Sequence, residues 1–393
     1  MKNRLIERWM LLLMAMLLMA CGGSEEENGS IPEDEDCYLD IYVYAPDRPI
    51  VTRGDVGEIK VRTEAESNVH TLQIWVFKSS NGGLVGYLNA GADGISEPYL
   101  LNEKGQQVYR MKVAKDFANN PEAVDVYVVA NAASYTSTTL NGSTTRTQLN
   151  DAMIGSGSFG TSTLVTSVPT TGLPMSAVLK NQHISGKFPT LRIGTESQIA
   201  TLHLTRAVSK LRFVLCRITE EQDSKKKLLS IDGISLDANQ IPTQTYLIPR
   251  EIYTYTYGHD PISYGSVEKT AIPAVADPLV YAYETQAAQA YEDMINQAIA
   301  DEKLKELGLT YFRESDKQLT GTITYTYNEN NSATNTQETV PFSMVAAGDF
   351  LRNHSWIIYI YYLDSKIYVL TVTHIGMRSW DDGGDATHTI YNW

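Results

Sequence analysis

The feature that most constrains this chain is a repeated pattern of short alternating runs along almost all of its 393 residues. The runs are rich in β-branched and aromatic residues, and turn residues separate them. Such runs predict half-buried strands, because successive side chains of a strand point to opposite faces. A parallel sheet would need a helix between successive strands, and those helical patterns are missing. The sequence therefore predicts a mainly β protein built from β-sandwiches. The predicted strands cover residues 37–45, 69–77, 84–88, 108–113, 124–130, 199–204, 208–216, 229–236, 319–327, 338–343, 355–363, 366–375 and 387–393.

One segment departs from the strand pattern. Residues 284–307 carry apolar side chains at helical spacing, and Gly308 follows them, so we expect a helix inserted between strands. Strand alternation resumes near residues 195–206 after a stretch rich in Gly, Pro and Thr, which predicts a domain boundary there. The expected organisation is a signal segment over 1–21, an acidic leader over 22–53, an N-terminal sandwich over 54–200, and a C-terminal sandwich over 201–393 with the helix near 284–307.

The first residues have the character of a secretory signal peptide. Lys2, Arg4 and Arg8 precede an apolar run of 11 residues, whereas a membrane-spanning helix needs about 20. The end of the run, residues 18–21, resembles the lipobox of bacterial lipoproteins, in which the Cys21 thiol is lipidated and becomes the new N-terminus. An ordinary signal peptide with a chance cysteine is the alternative.

Acidic residues are concentrated behind this segment. The whole chain has a net charge of -14, and residues 22–53 carry nine acidic and two basic side chains, a net of -7. An acidic balance of this size argues against a nucleic-acid-binding protein, which needs a basic face. The acidic stretch directly after Cys21 is either a surface-export signal or a solvated linker.

The three cysteines are too few for a disulfide framework or a structural zinc site. Cys216 lies in a predicted buried strand and is expected to be a small core residue. A disulfide between Cys216 and Cys37 remains an open alternative if the compartment is oxidising.

Signals for catalysis, cofactors or metals are weak. Residues 155–160 have the spacing G-x-G-x-x-G, but a β-branched run ending in proline follows them, so we expect a loop and not a dinucleotide site. The seven histidines are scattered, and the acidic turn at 381–385 lacks the closing glutamate of an EF-hand. The sequence predicts no enzyme, no cofactor and no metal site.

Five stretches, taken in order, resemble the FimA-type major fimbrillin family, the pilus proteins of Gram-negative anaerobes. They run from the leader to the last hundred residues: 51–54, 69–77, 126–131, 204–211 and 351–356. The resemblance implies two transthyretin-like β-sandwich domains. It also implies a structural subunit of a cell-surface fimbrium that supports adhesion, exported first as an outer-membrane lipoprotein precursor.

The resemblance further implies a mode of assembly. The leader strand of such a subunit fills its own sheet until an arginine-specific protease cuts the leader. The sheet edge left behind pairs readily with a matching strand, and a neighbouring subunit supplies that strand. Head-to-tail contacts of this kind propagate into a filament. The implied partners are other fimbrial subunits, the protease and the membrane that holds the lipid.

Residues 37–45 are the candidate self-complementing strand. Leu39, Ile41 and Val43 lie on one face of it and are expected to fill the groove.

The predicted cut follows Arg53, with Gly54 as the next residue, and Arg48 and Arg62 are alternatives. A protease needs an extended, accessible site of the kind predicted for residues 47–52.

Residues 387–393 are a candidate donor strand, with one strong aliphatic side chain, Ile390, and the aromatic side chains of Tyr391 and Trp393. The alternative is that this strand only completes the second sandwich.

A fimbrial tip or anchor subunit, and a monomeric surface lipoprotein that binds a glycan or a host protein, are the competing functions.

Overall fold

The computed structural model describes residues 36–44, 66, 68–90, 100–101, 107–155, 165–218, 226–250, 255–257, 262–276, 288–343, 351–363 and 366–374. Strands dominate these residues, and the prediction of a mainly β protein is confirmed. Within these ranges no helix is both long and apolar enough to cross a membrane.

The first half of the chain forms two sheets. Its elements are β1 (Cys37–Tyr44), β2 (Leu72–Lys78), β3 (Leu84–Asn89), β4 (Leu100–Leu101), β5 (Gln107–Val113), α1 (Lys115–Asn119), β6 (Val124–Ala130), α2 (Arg146–Asp151), β7 (Met153–Ile154), β8 (Met175–Gln182), β9 (Ile184–Lys187), β10 (Thr190–Ile193), β11 (Thr201–His203) and β12 (Thr205–Arg206). The leader sheet has the order β4-β5-β1-β10-β9, with β11 also paired to β1. The second sheet has the order β12-β8-β6-β2-β3. Strands β2 and β3 pair antiparallel as a hairpin.

The second half forms two further sheets. Its elements are β13 (Val208–Ile218), β14 (Lys226–Leu236), a 3-10 turn (Ala238–Gln240), β15 (Thr245–Tyr246), β16 (Ile262–Tyr264), β17 (Val267–Glu268), a 3-10 turn (Lys269–Ala271), β18 (Ala274–Val275), α3 (Ala288–Ala300), β19 (Lys305–Arg313), β20 (Thr320–Glu329), β21 (Asn335–Ser343), β22 (Ser355–Leu363) and β23 (Lys366–His374). The third sheet has the order β18-β13-β22-β23, with β19 also beside β13. The fourth has the order β16-β14-β20-β21, with β17 also beside β14.

Three clusters of buried side chains hold these sheets together. The first contains side chains of the leader sheet and the second sheet, with Trp75 fully buried. The second contains side chains of the third and fourth sheets. The third packs α3, through Ile295 and Ala298, on the other face of β13 and β22. The change from the first pair of sheets to the second falls between Arg206 and Val208. The domain division at residue 200 stays a prediction.

The helix is shorter than its sequence pattern predicts. It ends at Ala300, and residues 284–287 lie outside the described ranges. Lys305 already begins β19, so Leu307 and Gly308 belong to a strand. A Cβ atom on Gly308 would lie 2.6 Å from the Tyr264 ring. The glycine therefore serves close packing between strands and does not stop a helix.

Two of the sheets are mixed, with both parallel and antiparallel neighbours. Strand β1 runs parallel to β10 and β11, and β13 runs parallel to β18 and β22. These neighbours are far apart in sequence, so no short crossover helix is needed to join them.

Several tyrosines of the described strands are fully buried. Tyr311 and Tyr359 are among the largest fully buried side chains. Buried tyrosine hydroxyl groups form hydrogen bonds inside the protein. The Tyr264 hydroxyl, for example, donates to Thr310 Oγ1 at 2.9 Å. Burial raises the pKa of Tyr264 above its ordinary value.

Both described cysteines are free and buried. Cys37 lies in the first cluster and Cys216 in the third, so no disulfide joins them. Cys216 Sγ lies 2.9 Å from the Tyr359 hydroxyl. Burial raises the pKa of the Cys216 thiol to about 11, which agrees with the prediction of a core residue.

Candidate functional site: the leader strand and its slot

Strand β1 comes from the predicted leader and lies in the middle of the leader sheet. On one side it pairs antiparallel with β5 over seven residue pairs, from Cys37 opposite Val113 to Val43 opposite Gln107. On the other side it runs parallel to β10 and then to β11. We call the space between β5 and these two strands the slot. Because β1 is paired on both sides, its removal would expose two rows of backbone hydrogen-bonding groups.

The inward face of β1 is part of the first core cluster. Leu39 and Ile41 are 0% exposed and Val43 is 1% exposed. Side chains of the neighbouring strands in the same cluster include Met111 and Leu191. Burial of each aliphatic side chain contributes about 1.5–3 kcal/mol. The three residues predicted to fill a groove are therefore core residues of the structure.

The outward face of β1 carries one carboxylate, Asp40, among aromatic rings, and this carboxylate pairs with β5. The Asp40 carboxylate is bidentate with Arg110: Nε donates to Oδ1 at 2.8 Å, and Nη2 donates to Oδ2 at 2.9 Å. Just before the start of β1, Lys112 Nζ lies 2.5 Å from Asp36 Oδ1. This second pair is exposed, and the hydrogen bond between its partners holds the pKa of Asp36 below its ordinary value and that of Lys112 above it.

Beyond the leader, Glu66 fastens the chain to the second half of the protein. Its Oε1 accepts a hydrogen bond from the Tyr311 hydroxyl at 2.6 Å and lies 2.8 Å from Lys210 Nζ. Arg206 Nε donates to the Glu66 carbonyl oxygen at 2.8 Å. Burial alone would raise the pKa of Glu66, but the charges of Lys210 and Arg206 hold it below its ordinary value. Glu66 is therefore a buried carboxylate, held to β12, β13 and β19.

A second buried ion pair lies at the contact between the two halves. Glu314 pairs with Arg352, and both residues are buried. The Arg352 guanidinium also donates to the carbonyl oxygens of Tyr246 and Leu247. Tyr246 lies in β15, which pairs with β7 of the first half. The backbone pairing of β15 with β7 therefore connects the two halves.

The structure describes three of the predicted site residues. It places Leu39, Ile41 and Val43 together in the slot. The other predicted site residues lie outside the described residues. They are the lipidation residue Cys21, the cleavage residues Arg53 and Gly54 with their alternatives Arg48 and Arg62, and the donor residues Ile390, Tyr391 and Trp393.

Sequence reasoning missed Arg110 and Glu66. Asp40 was a signal for Arg110, because a carboxylate in the middle of an apolar strand needs a partner. No local pattern indicates Glu66, whose partner Lys210 is far away in the sequence.

Two further features of the described residues concern metal binding and cavities. No group of three or more His, Cys, Asp or Glu side chains in these ranges is arranged to hold a metal ion. A cleft of about 680 Å³ lies at the ends of β14, β20 and β21. Its lining is mostly apolar and includes Leu236, Val340 and Phe342, with Asp237 as its charged residue.

Searches of protein families and of curated protein sequences return no significant match. Solved structures do show similarity. Mfa3, a tip fimbrial protein of Porphyromonas gingivalis with a C-terminal truncation, is 16% identical, with a TM-score of 0.43, over 86% of this chain and 99% of that one. A fimbrial assembly protein of Parabacteroides distasonis is 12% identical, with a TM-score of 0.45, over 91% and 100%. A candidate cell adhesion protein of Bacteroides eggerthii is 13% identical, with a TM-score of 0.47, over 88% and 98%.

All three identities are below 25% and all three TM-scores are below 0.5. The functional proposal therefore rests on the residues of this chain.

Proposed function

We propose that this chain is a structural subunit of a bacterial cell-surface fimbrium that supports adhesion. Its precursor is a lipoprotein, anchored through Cys21 to the outer membrane. An arginine-specific protease cuts after Arg53, releases the leader and frees the slot. A strand of another fimbrial subunit then takes the place of β1.

One observation carries this proposal: a strand from the acidic leader is a central, doubly paired strand of a folded sheet. Leu39, Ile41 and Val43 complete the first core, although they precede every arginine considered as a cut site. A single cut after Arg53 would separate these residues from the rest of the chain. The same buried contacts that stabilise the precursor would then favour refilling of the slot.

The test is to incubate the precursor, without its signal peptide, with an arginine-specific protease. Mass spectrometry would locate the cut, and electron microscopy would detect polymers. A single cut near Arg53 followed by filaments is the result expected for a stalk subunit. A clean cut without polymers would indicate a tip subunit, or one that needs a different partner.

Resistance of the leader to cleavage would contradict strand release. An anchor subunit that keeps its lipid, or a monomeric surface protein that binds a glycan or a host protein, would then be the better description.

A further inference from the structure

The outward face of β1 differs chemically from its inward face. Asp40 points away from the first core, yet it is only 6% exposed. Arg110 covers it with two hydrogen bonds of 2.8 and 2.9 Å. The same guanidinium lies over the ring of Tyr38, 5.5 Å from its centroid. A planar guanidinium in this bidentate geometry selects a carboxylate over a neutral side chain.

The other cations along the slot lie on the same outer face. The strand register places Arg192 of β10 opposite Asp40, on the side away from Arg110. Lys112 lies two residues after Arg110 in β5, on the same face of the strand, and pairs with Asp36. We call these three residues, Arg110, Lys112 and Arg192, the basic rim. Release of the leader would take both carboxylates away, while the basic rim stays with the body of the protein.

We propose that the strand that replaces β1 carries an acidic side chain at the position of Asp40, between two apolar side chains that enter the core. This inference rests on the proposed strand release and adds the chemistry by which the slot selects its occupant. The required pattern is apolar, acidic, apolar, any residue, apolar. The acidic residue with one apolar residue on each side is the same when the strand direction is reversed. This part of the pattern therefore applies to an incoming strand of either orientation.

The candidate donor of this chain does not fit that pattern. Residues 387–393 contain no acidic side chain, so no register places a carboxylate beside Arg110. With Ile390 in the place of Ile41, the position of Asp40 would be taken by Thr389 in one direction and by Tyr391 in the other. The occupant is therefore not residues 387–393 of a second copy, but a strand of a fimbrial subunit that carries an acidic side chain at this position.

The experiment measures competition for the slot. A recognition site for a protease that cuts nowhere else in the chain replaces residues 47–53, so the test does not depend on Arg53 being the natural site. After the cut, a fluorescent peptide of residues 35–45 exchanges with the bound leader, and anisotropy reports its relative affinity. The compared peptides are the unchanged sequence, Asp40→Asn, and the matched control Asp36→Asn.

We expect the Asp40→Asn peptide to bind about tenfold more weakly or worse, because hydrogen bonds to a charged partner are strong when they are sheltered from water. The Asp36→Asn peptide should stay within about threefold of the unchanged sequence, because its ion pair is exposed. A peptide of residues 387–393 should not compete. In the protein variant Arg110→Glu, an Asp40→Arg peptide should bind better than the unchanged one.

Equal binding of the unchanged and Asp40→Asn peptides would overturn the proposal and leave strand release intact. Tight binding of the 387–393 peptide would overturn it as well. If no peptide binds in the slot, including the unchanged one, the result contradicts strand release itself. The requirement for an acidic side chain at the position of Asp40 is then contradicted as well. The peptide series uses the unmodified body, so these outcomes do not depend on whether Arg110→Glu folds.

Discussion

Strands β1 and β13 are central strands of their sheets and have the same kinds of neighbour. Each pairs antiparallel on one side, β1 with β5 and β13 with β19. Each also pairs in parallel on the other side, β1 with β10 and β11 and β13 with β22. Both bury aliphatic side chains completely, Ile41 in β1 and Leu211 in β13.

The two strands differ in how the chain holds them. Strand β13 follows β12 after a single residue, and its Lys210 is paired with Glu66. Strand β1 precedes all other described strands, so one cut between residues 44 and 66 separates it from them. Under the proposed strand release, the covalent connection distinguishes β1 from β13, because pairing and burial are alike in the two strands.

The largest effect is expected at Glu66, the residue that ties the chain after the leader to β13. Glu66→Gln leaves the buried Lys210 ammonium without its carboxylate, and loss of one partner of a buried ion pair costs about 3–5 kcal/mol. The loss should be measured by urea unfolding, both before and after the leader is cut. Glu122→Gln, at a half-exposed surface pair with Lys78, is the control and should unfold nearly like the parent. An equally small effect of Glu66→Gln would mean that Glu66 does not hold the chain.

The same carboxylate predicts a pH dependence. The pKa of Glu66 is lower in the folded protein than its ordinary value of 4.5. Its contribution to the free energy of unfolding is therefore fully present above about pH 4.5 and is lost as the pH falls through the folded pKa. Urea unfolding between pH 3 and 7 should show this loss in the parent and a smaller one in Glu66→Gln. Identical pH profiles would contradict the assignment.

The next effect separates β1 from β13 directly. Ile41→Ala and Leu211→Ala should each lower the free energy of unfolding by about 2–5 kcal/mol, because both side chains are fully buried. Only Ile41→Ala should also speed exchange of the cut leader for a competing peptide, by about 30-fold or more. Equal exchange rates in the two variants would show that the leader leaves only when the whole protein unfolds.

A smaller effect is expected at Gly308, in the strand next to β13. A methyl group there would lie 2.6 Å from the Tyr264 ring, and overpacking of this kind costs about 1–3 kcal/mol. Gly308→Ala should lower the denaturation midpoint without changing leader exchange. A large change in exchange would mean that the two halves do not respond independently.

Much of the fold could be predicted from the sequence because alternation defines strands and their buried faces. The predicted strands 124–130 and 355–363 coincide residue for residue with β6 and β22. The buried face of β1 was also predicted, from Leu39, Ile41 and Val43.

The pairing of strands could not be predicted, because alternation shows which residues share a face and not which strand lies beside them. The parallel partners of β1 and the contact of Glu66 with Lys210 depend on residues far apart in the sequence. The end of α3 was missed for a related reason: Leu304 and Leu307 continue the helical spacing by chance, although Leu307 already lies in β19.

Thiol labelling tests the central claim most directly. Without residues 1–21 the chain has two cysteines, Cys37 in β1 and Cys216 in β13, and both are buried. We predict that neither reacts with a maleimide before the leader is cut. After the cut, with an excess of leader peptide carrying Cys37→Ser, Cys37 should react while Cys216 stays protected. Labelling of Cys37 before the cut, or equal protection of both thiols after it, would contradict the release of β1 from its slot.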